Sequence, residues 1–259
     1  MDKVYYKYKD IKIVKDNSLY TKEIPNSSID LIVTSPPYNV KINYNSHNDS
    51  MDYDKYLEFN RKWLINSYEW LKDDGRLCLN IPLTQNKFGH NSLYADIVTI
   101  AKDIGLKFYT TIIWDKNNIS KRTAWGSWMS ASAPFIIPPV EVIAVFYKKS
   151  YKKRSGSRIS DMTKEEFIEW TMGTWRITGE NSKRVKHPAP FPRELAKRCI
   201  KLFSFAGDTI LDPFCGSGTT LIEAFLLNRK GIGIEIDKKY CSIAKDRFIT
   251  TINQEKTLF

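Results

Sequence analysis

The chain has 259 residues, 42% hydrophobic and 13% aromatic, which suits one packed domain and excludes wholesale disorder. Lys plus Arg number 40 against 29 for Asp plus Glu, a formal net charge of +11, which points to a polyanionic partner, nucleic acid before an anionic membrane surface. Met1–Asp10 lacks an apolar signal core and no apolar run reaches the roughly 20 residues of a membrane span, so a cytoplasmic protein with no membrane partner is expected.

In chain order, the sequence predicts a buried strand over Ile29–Val33, a helix over Tyr53–Leu71 and a strand over Leu77–Ile81. A helix over Leu93–Ile104 and strands over Tyr109–Trp114 and Val140–Tyr147 follow. The last third gives a proline-opened helix over Pro192–Phe203, then a strand over Thr209–Leu211, a helix over Leu221–Leu227 and a strand over Gly231–Ile236. The strand runs are short and almost continuously apolar, as strands buried on both faces should be. Their alternation with helices argues for an α/β fold with a mostly parallel sheet.

Two stretches break this pattern. Lys116–Pro139 is irregular, and Lys148–Arg158 reads KKSYKKRSGSR, six basic residues and no acidic one. A helix-like patch over Lys164–Met172 and the pair Trp175-Arg176 lie beyond it. Neither stretch reads as sheet core; both read as loops or small insertions carrying contacts. Cys78, Cys199, Cys215 and Cys241 are too scattered for a disulfide framework or a zinc site, and His47, His90 and His187 share no ligand spacing, so no metal is expected.

The chemistry concentrates in two loops. Residues 209–220 read TILDPFCGSGTT: a strand ending in Asp212, then a turn holding Gly216 and Gly218 before a helix. The next strand, GIGIEID, carries Glu235 at its end, 23 positions after Asp212. Loop glycines let backbone approach a nucleoside, and an acidic side chain at that place accepts hydrogen bonds from ribose hydroxyls. Leu221 stands where the third glycine of a dinucleotide fingerprint would be, so a ligand with a single nucleoside fits better than a pyrophosphate. The second loop, IDLIVTSPPYN, runs from a strand straight into Ser35-Pro36-Pro37-Tyr38. Two prolines stop the ladder and fix the backbone where a parallel strand ends, the ligand-binding edge of such sheets. Ser35 Oγ and the Pro36 carbonyl are acceptors suited to the hydrogens of an exocyclic nucleobase amine, and Tyr38 offers a ring face for an extruded base. With acceptors drawing that nitrogen toward tetrahedral geometry, no strong base is needed before attack on an in-line methyl.

Together, VTSPPYN and, far downstream, LDPFCGSGTT with GIGIEID resemble the permuted β group of amino-group DNA methyltransferases, the cytosine-N4 and adenine-N6 enzymes. The resemblance spans roughly Ile13–Phe248. It implies a Rossmann-like methyltransferase fold, with residues 1–259 as a single catalytic domain and residues 148–186 as a target-recognition insertion. It implies S-adenosylmethionine as cofactor, converted to S-adenosylhomocysteine, and double-stranded DNA as partner. Asp16 would contact the cofactor adenine, Glu235 the ribose hydroxyls, and Ile236 would pack on the adenine. Thr34 and the loop Asp212, Pro213, Phe214, Cys215, Gly216, Ser217, Gly218, Thr219 and Thr220 would hold the methionine and ribose parts, with Phe191 and Pro192 at the methionine end. Ser35, Pro36, Pro37 and Tyr38 would be catalytic, and Lys148, Lys149, Lys152, Lys153 and Arg154 would neutralise phosphates. Cys215 lacks the Pro-Cys context of cytosine-C5 enzymes and reads as a small loop filler. In such enzymes Ser-Pro-Pro-Tyr accompanies cytosine-N4 methylation with base flipping, and Asp-Pro-Pro-Tyr adenine-N6, so cytosine is expected and adenine is the alternative.

The resemblance also implies a restriction-modification setting, and leaves open a homodimer, a cognate restriction endonuclease and a companion methyltransferase. Three other classes fit less well. An RNA or protein-amide methyltransferase would place the glycine loop first. A non-catalytic binding module would not keep both loops intact. A nicotinamide oxidoreductase would need the third glycine.

Overall fold

The computed structural model describes residues 3–39, 50–84, 91–116, 127, 129–134, 136, 140–179 and 191–257. Among these, nine strands form one sheet: β1 (Val4–Tyr8), β2 (Ile11–Lys15), β3 (Ile29–Thr34), β4 (Leu71–Pro82), β5 (Lys107–Asp115), β6 (Val140–Tyr147), β7 (Thr174–Arg176), β8 (Thr209–Asp212) and β9 (Lys230–Glu235). Their order across the sheet is β1-β2-β9-β8-β3-β4-β6-β5-β7. The central run β2-β9-β8-β3-β4 is parallel throughout; β1 and β6 enter antiparallel, and β5 again runs with β4.

Six helices lie among the described residues: α1 (Tyr53–Trp70), α2 (Leu93–Ile104), α3 (Lys164–Trp170), α4 (Arg193–Phe203), α5 (Thr219–Leu226) and α6 (Lys238–Thr257). Strand pleating sends neighbours to opposite faces, which divides the core in two. Leu31, Val33 and Cys78 join Leu195, Cys199, Ile200, Leu221, Ala244 and Phe248, so α4, α5 and α6 cover one face. Ile32, Leu77 and Leu79 join Tyr56, Trp63, Leu64, Leu93 and Ile97, so α1 and α2 cover the other. The apolar spacing on α4 (Leu195, Cys199, Ile200, Phe203) is the stripe that a one-sided helix needs. Gly105 ends α2 in the left-handed region at φ 111°, donating to Ala101 and Lys102 carbonyls.

Four elements escape the sequence reading. β1 and β2 alternate tyrosine or isoleucine with lysine, so charge hides their half-buried pattern. α6 follows a strand end with no acidic first turn, yet Cys241, Ala244, Phe248 and Ile252 bury one side of it. β7 is three residues long, but Trp175 is buried and its strand extends the sheet beside β5. The stretch after Tyr147 is therefore partly sheet, which corrects its reading as contact-bearing loop alone. Among the described residues, no helix is long and apolar enough to cross a membrane, and no group of three His, Cys, Asp or Glu has metal-ligand spacing.

Parallel pairing fixes where every loop emerges. β2, β3, β4, β5, β7, β8 and β9 all point their carboxyl ends at one edge, which gathers Asp16, Ser35, Asp212 and Glu235 there. β6 starts at that edge with Glu141 and ends at the opposite one with Tyr147.

Candidate active site

The glycine loop is set by buried polar ties. Asp212 accepts hydrogen bonds from Thr34 Oγ1 (2.7 Å), Thr220 Oγ1 (2.7 Å) and the Phe214 amide (3.1 Å). Burial nevertheless pushes its carboxyl up to about 6. This one carboxylate joins β3, β8 and the first turn of α5. Gly218 sits at φ 80°, and a Cβ there would come 3.0 Å from the Ala244 Cβ, so α6 packs where no side chain fits. Arg247 reaches from α6 to the Ser217 hydroxyl (2.7 Å) and carbonyl. Cys215 is buried with its thiol pushed well up by burial, and its Sγ lies 2.5 Å from where a Gly233 Cβ would stand. That is the environment of a packing residue, not a nucleophile.

Glu235 ends β9 and receives the Gly216 amide at 2.8 Å and the Asp237 amide at 2.9 Å. Each oxygen keeps a lone pair for further donors. Burial pushes its carboxyl up to about 7, the two amides opposing and Asp237 and Asp212 adding to the rise. The Asp16 amide donates to the Glu235 carbonyl at 3.0 Å, so the two acidic strand ends are neighbours. Asp16 itself is pushed up by burial, but hydrogen bonds from Lys3 and Thr21 prevail and hold it below the usual range.

The Ser-Pro-Pro-Tyr turn is held from two helix-side contacts. The Tyr56 hydroxyl donates to the Pro37 carbonyl at 2.8 Å from its fully buried place on α1. Asn39, at φ 56°, exchanges two hydrogen bonds with the Met51 backbone at 2.7 and 2.8 Å. The polar end of the turn then meets β4 and β6. Ser35 Oγ lies 2.7 Å from Tyr38 Oη, which is 3.0 Å from Glu141 Oε2. Asn80 Nδ2 donates at 2.8 Å both to Tyr38 Oη and to Glu141 Oε2, and Lys116 pairs with Glu141 Oε1.

Both loops open into one cavity of about 490 Å³. Asp16, Phe214, Glu235 and Ile236 line one part, and Ser35, Tyr38, Asn80, Trp114, Lys116 and Glu141 another. The first part fits a nucleoside: two adjacent carboxylates for hydroxyls and amine, and Ile236, 42% exposed, as an apolar platform. Phe191, Pro213 and Gly216 also line the cavity. Thr34, Pro192, Asp212, Cys215, Ser217, Gly218, Thr219 and Thr220 do not; they stand behind its wall and shape it.

The basic run lies elsewhere. Residues after Tyr147 leave the sheet at the edge opposite Ser35, where Lys148 and Lys149 amides bond to Gly75 and Asp73 carbonyls. Lys148 is buried, donating to the Leu71 carbonyl at 2.9 Å over the Tyr68 ring. Lys153 is buried among Asp30, Asp74 and Asp208 at 3.6, 3.8 and 3.7 Å. Both are corrections to the expected phosphate contacts, because both side chains are almost wholly enclosed and bonded to protein oxygens. Lys149, Lys152 and Arg154 are exposed, at the edge of the sheet opposite Ser35. Within the described part of the expected recognition insertion, β7 and residues 177–179 run toward the edge that carries Ser35; residues 180–186, His47, His90 and His187 lie outside the described residues.

Asn80, Lys116, Glu141, Tyr56 and Asn39 belong to the site and were not singled out in the sequence. The signal for two of them was present: Asn80 and Glu141 are the polar interruptions in the apolar runs LCLNIP and VEVIAVFY. A buried polar residue inside a core strand requires a partner, and here both bond to the Tyr38 hydroxyl.

Known proteins resemble this one in sequence and fold. The sequence model of a DNA methylase family matches residues 29–246. The type II methyltransferase M.MjaVI of Methanocaldococcus jannaschii is 56% identical over 183 residues, covering 71% of this chain and 93% of that protein. The type II methyltransferase M.HpaI of Haemophilus parainfluenzae is 29% identical over 255 residues, covering 94% and 76%. A Thermus thermophilus protein assigned as a DNA modification methylase, solved with S-adenosyl-L-methionine, superposes with a TM-score of 0.73 at 30% identity over 93% of each chain. The cytosine-N4-specific PvuII DNA methyltransferase shares the fold, with a TM-score of 0.72 at 17% identity over 98% of this chain and 95% of that one.

Proposed function

This chain belongs to the N6/N4 DNA methylase family as an S-adenosylmethionine-dependent DNA methyltransferase, and on that premise we propose that it is a type II enzyme methylating the exocyclic N4 of cytosine in duplex DNA. The observation that carries the reading is the single cavity shared by the Glu235 and Ser35 loops. It lets a nucleoside-bearing cofactor and an extruded base meet out of bulk water.

The bound cofactor supplies an electrophilic methyl on a sulfonium. Glu235 accepts the ribose hydroxyls, Asp16 the adenine amine, and Ile236 and Phe214 give the adenine apolar contact. Gly216, Pro213 and Phe191 lie toward the rest of the cofactor, while Asp212, Thr34 and Thr220 keep the loop in shape. Ser35 Oγ and the Pro36 carbonyl accept the two amine hydrogens, and the Tyr38 ring stacks the base. Orientation by these groups is worth about 7–11 kcal/mol where alignment is complete. Duplex DNA then approaches the carboxyl edge of the sheet, where Lys116, Val140 and Ile177 stand at strand ends. Ser35 supports cytosine, since by the resemblance Ser-Pro-Pro-Tyr usually goes with cytosine-N4 methylation and Asp-Pro-Pro-Tyr with adenine-N6; the type II relatives support a restriction-modification role.

Nucleoside mass spectrometry of DNA from a methylation-free host expressing the protein tests the assignment. N4-methylcytosine is the expected product. N6-methyladenine would overturn the base assignment but keep the amine chemistry, and unmodified DNA would overturn the proposal.

A further inference from the structure

Glu141 lies outside every motif, on a strand whose other residues are apolar core. Its carboxylate accepts only, and that fixes the direction of the hydrogen bonds around it. Asn80 Nδ2 gives one hydrogen to Glu141 Oε2 and the other to Tyr38 Oη, each at 2.8 Å, which spends both. Tyr38 has one hydrogen to give, and Glu141 Oε2 at 3.0 Å and the Asn80 carbonyl at 3.3 Å both stand as acceptors for it. The charged, nearer acceptor takes it. Tyr38 oxygen is then an acceptor toward Ser35, 2.7 Å away, so the Ser35 hydrogen points at Tyr38. Ser35 Oγ is thereby an acceptor toward the cavity, with Asn80 Nδ2 a distant donor to it at 3.5 Å. Lys116 holds the other carboxylate oxygen, keeping Glu141 in register.

We propose that Glu141 is a positioning residue that fixes Ser35 as an acceptor and, through Tyr38, is the final acceptor of the proton lost by the methylated amine. The inference rests on the amine-methylation reading above and holds for cytosine or adenine alike. In the transfer, the amine lone pair forms the N–C bond as the C–S bond breaks, its electron pair staying with sulfur. The nitrogen, now cationic, passes a proton to Ser35 Oγ. The Ser35 hydrogen moves to Tyr38 Oη and the Tyr38 hydrogen to Glu141 Oε2. The relay starts and ends with Ser35 and Tyr38 neutral, and one proton rests on Glu141 for release.

Single-turnover methylation of DNA from the methylation-free host, with cofactor affinity measured in parallel, tests the relay. Glu141→Gln should slow transfer about 100-fold while cofactor affinity stays within about twofold, because glutamine donates to Tyr38 and reverses the chain. Tyr38→Phe, which keeps the ring and cuts the relay, should lose a similar factor, and the double variant should be no slower than the slower single one. Added formate should restore Glu141→Ala about tenfold, an effect no purely structural role produces. Wild-type speed in Glu141→Gln, or losses that multiply in the double variant, would overturn the proposal. Absence of formate rescue would remove the proton-acceptor role. Should Glu141→Gln not fold, Tyr38→Phe and its product rate decide. A wild-type enzyme that methylates neither amine would overturn the function and the relay together, which separates the two failures.

Discussion

At the carboxyl edge of the sheet, Lys116 pairs with Glu141, and that pair is two hydrogen bonds from Ser35 and open to the cavity. At the amino edge, Lys153 and Arg158 face Asp30, Asp74 and Asp208, with Arg158 3.0 Å from Asp208 and Lys153 almost wholly enclosed. The same residue types occur in both places. In the first, the carboxylate still touches polar atoms that a substrate can reach. In the second, cations and anions neutralise one another and pin the starts of β3, β4 and β8. Burial pushes the Lys153 ammonium down, the three aspartates opposing, which is the balance of an enclosed structural pair. A run of positive charge is thus no guide to function until its edge of the sheet is known.

The largest effect that would break this contrast is at the amino edge. Lys153→Met leaves the three carboxylates with Arg158 and, on Asp30, the half-exposed Lys72, and should cost about 3 kcal/mol of unfolding free energy in a urea titration with DNA affinity unchanged. Weaker DNA binding by the folded variant would make the amino edge functional after all. Next, Ser35→Ala should lower turnover about 100-fold with cofactor binding intact, the reverse signature. Glu235→Gln should weaken cofactor binding by about 1.5–3 kcal/mol, read by calorimetry, because hydroxyl donors lose a charged acceptor.

The pH dependence of the same residue sharpens the point. Folding raises Glu235 to about 7 and Asp212 to about 6, so the native state keeps protons that the unfolded chain releases. Their contribution to stability is fully present below about pH 4 and is lost as pH rises through about 6 and 7. Glu235→Gln should therefore melt higher than wild type at pH 8, while wild-type cofactor affinity should fall below about pH 7. A variant that melts lower at pH 8 would refute the burial argument. Smallest of all, the double replacement Lys152→Ala with Arg154→Ala should leave the salt dependence of DNA binding unchanged. A slope reduced by about 0.9 per residue would return both to the DNA surface.

The strands that carry the two loops were legible because IDLIVT, TILD and GIGIE are apolar runs that end in turn-forming residues, a pattern set by local sequence. Ser35, Tyr38, Glu235 and the glycine turn were legible for the same reason: each lies within a few residues of a strand end. β1, β2 and α6 were not, because lysines occupy their outward positions and blur the periodicity. Asn80, Glu141 and Lys116 were not joined to Ser35 either. They come from β4, β6 and the end of β5, and only the order β3-β4-β6-β5 lays them side by side.

By itself, then, the sequence determined the two loops, the nucleoside-accepting chemistry and the α/β alternation, all of which depend on residues close together along the chain. Only the tertiary structure decided which charges serve the site. The antiparallel course of β6 brings Glu141 to the catalytic edge and carries Lys148–Arg158 to the far one, because a strand of eight residues has its two ends on opposite sides of the sheet.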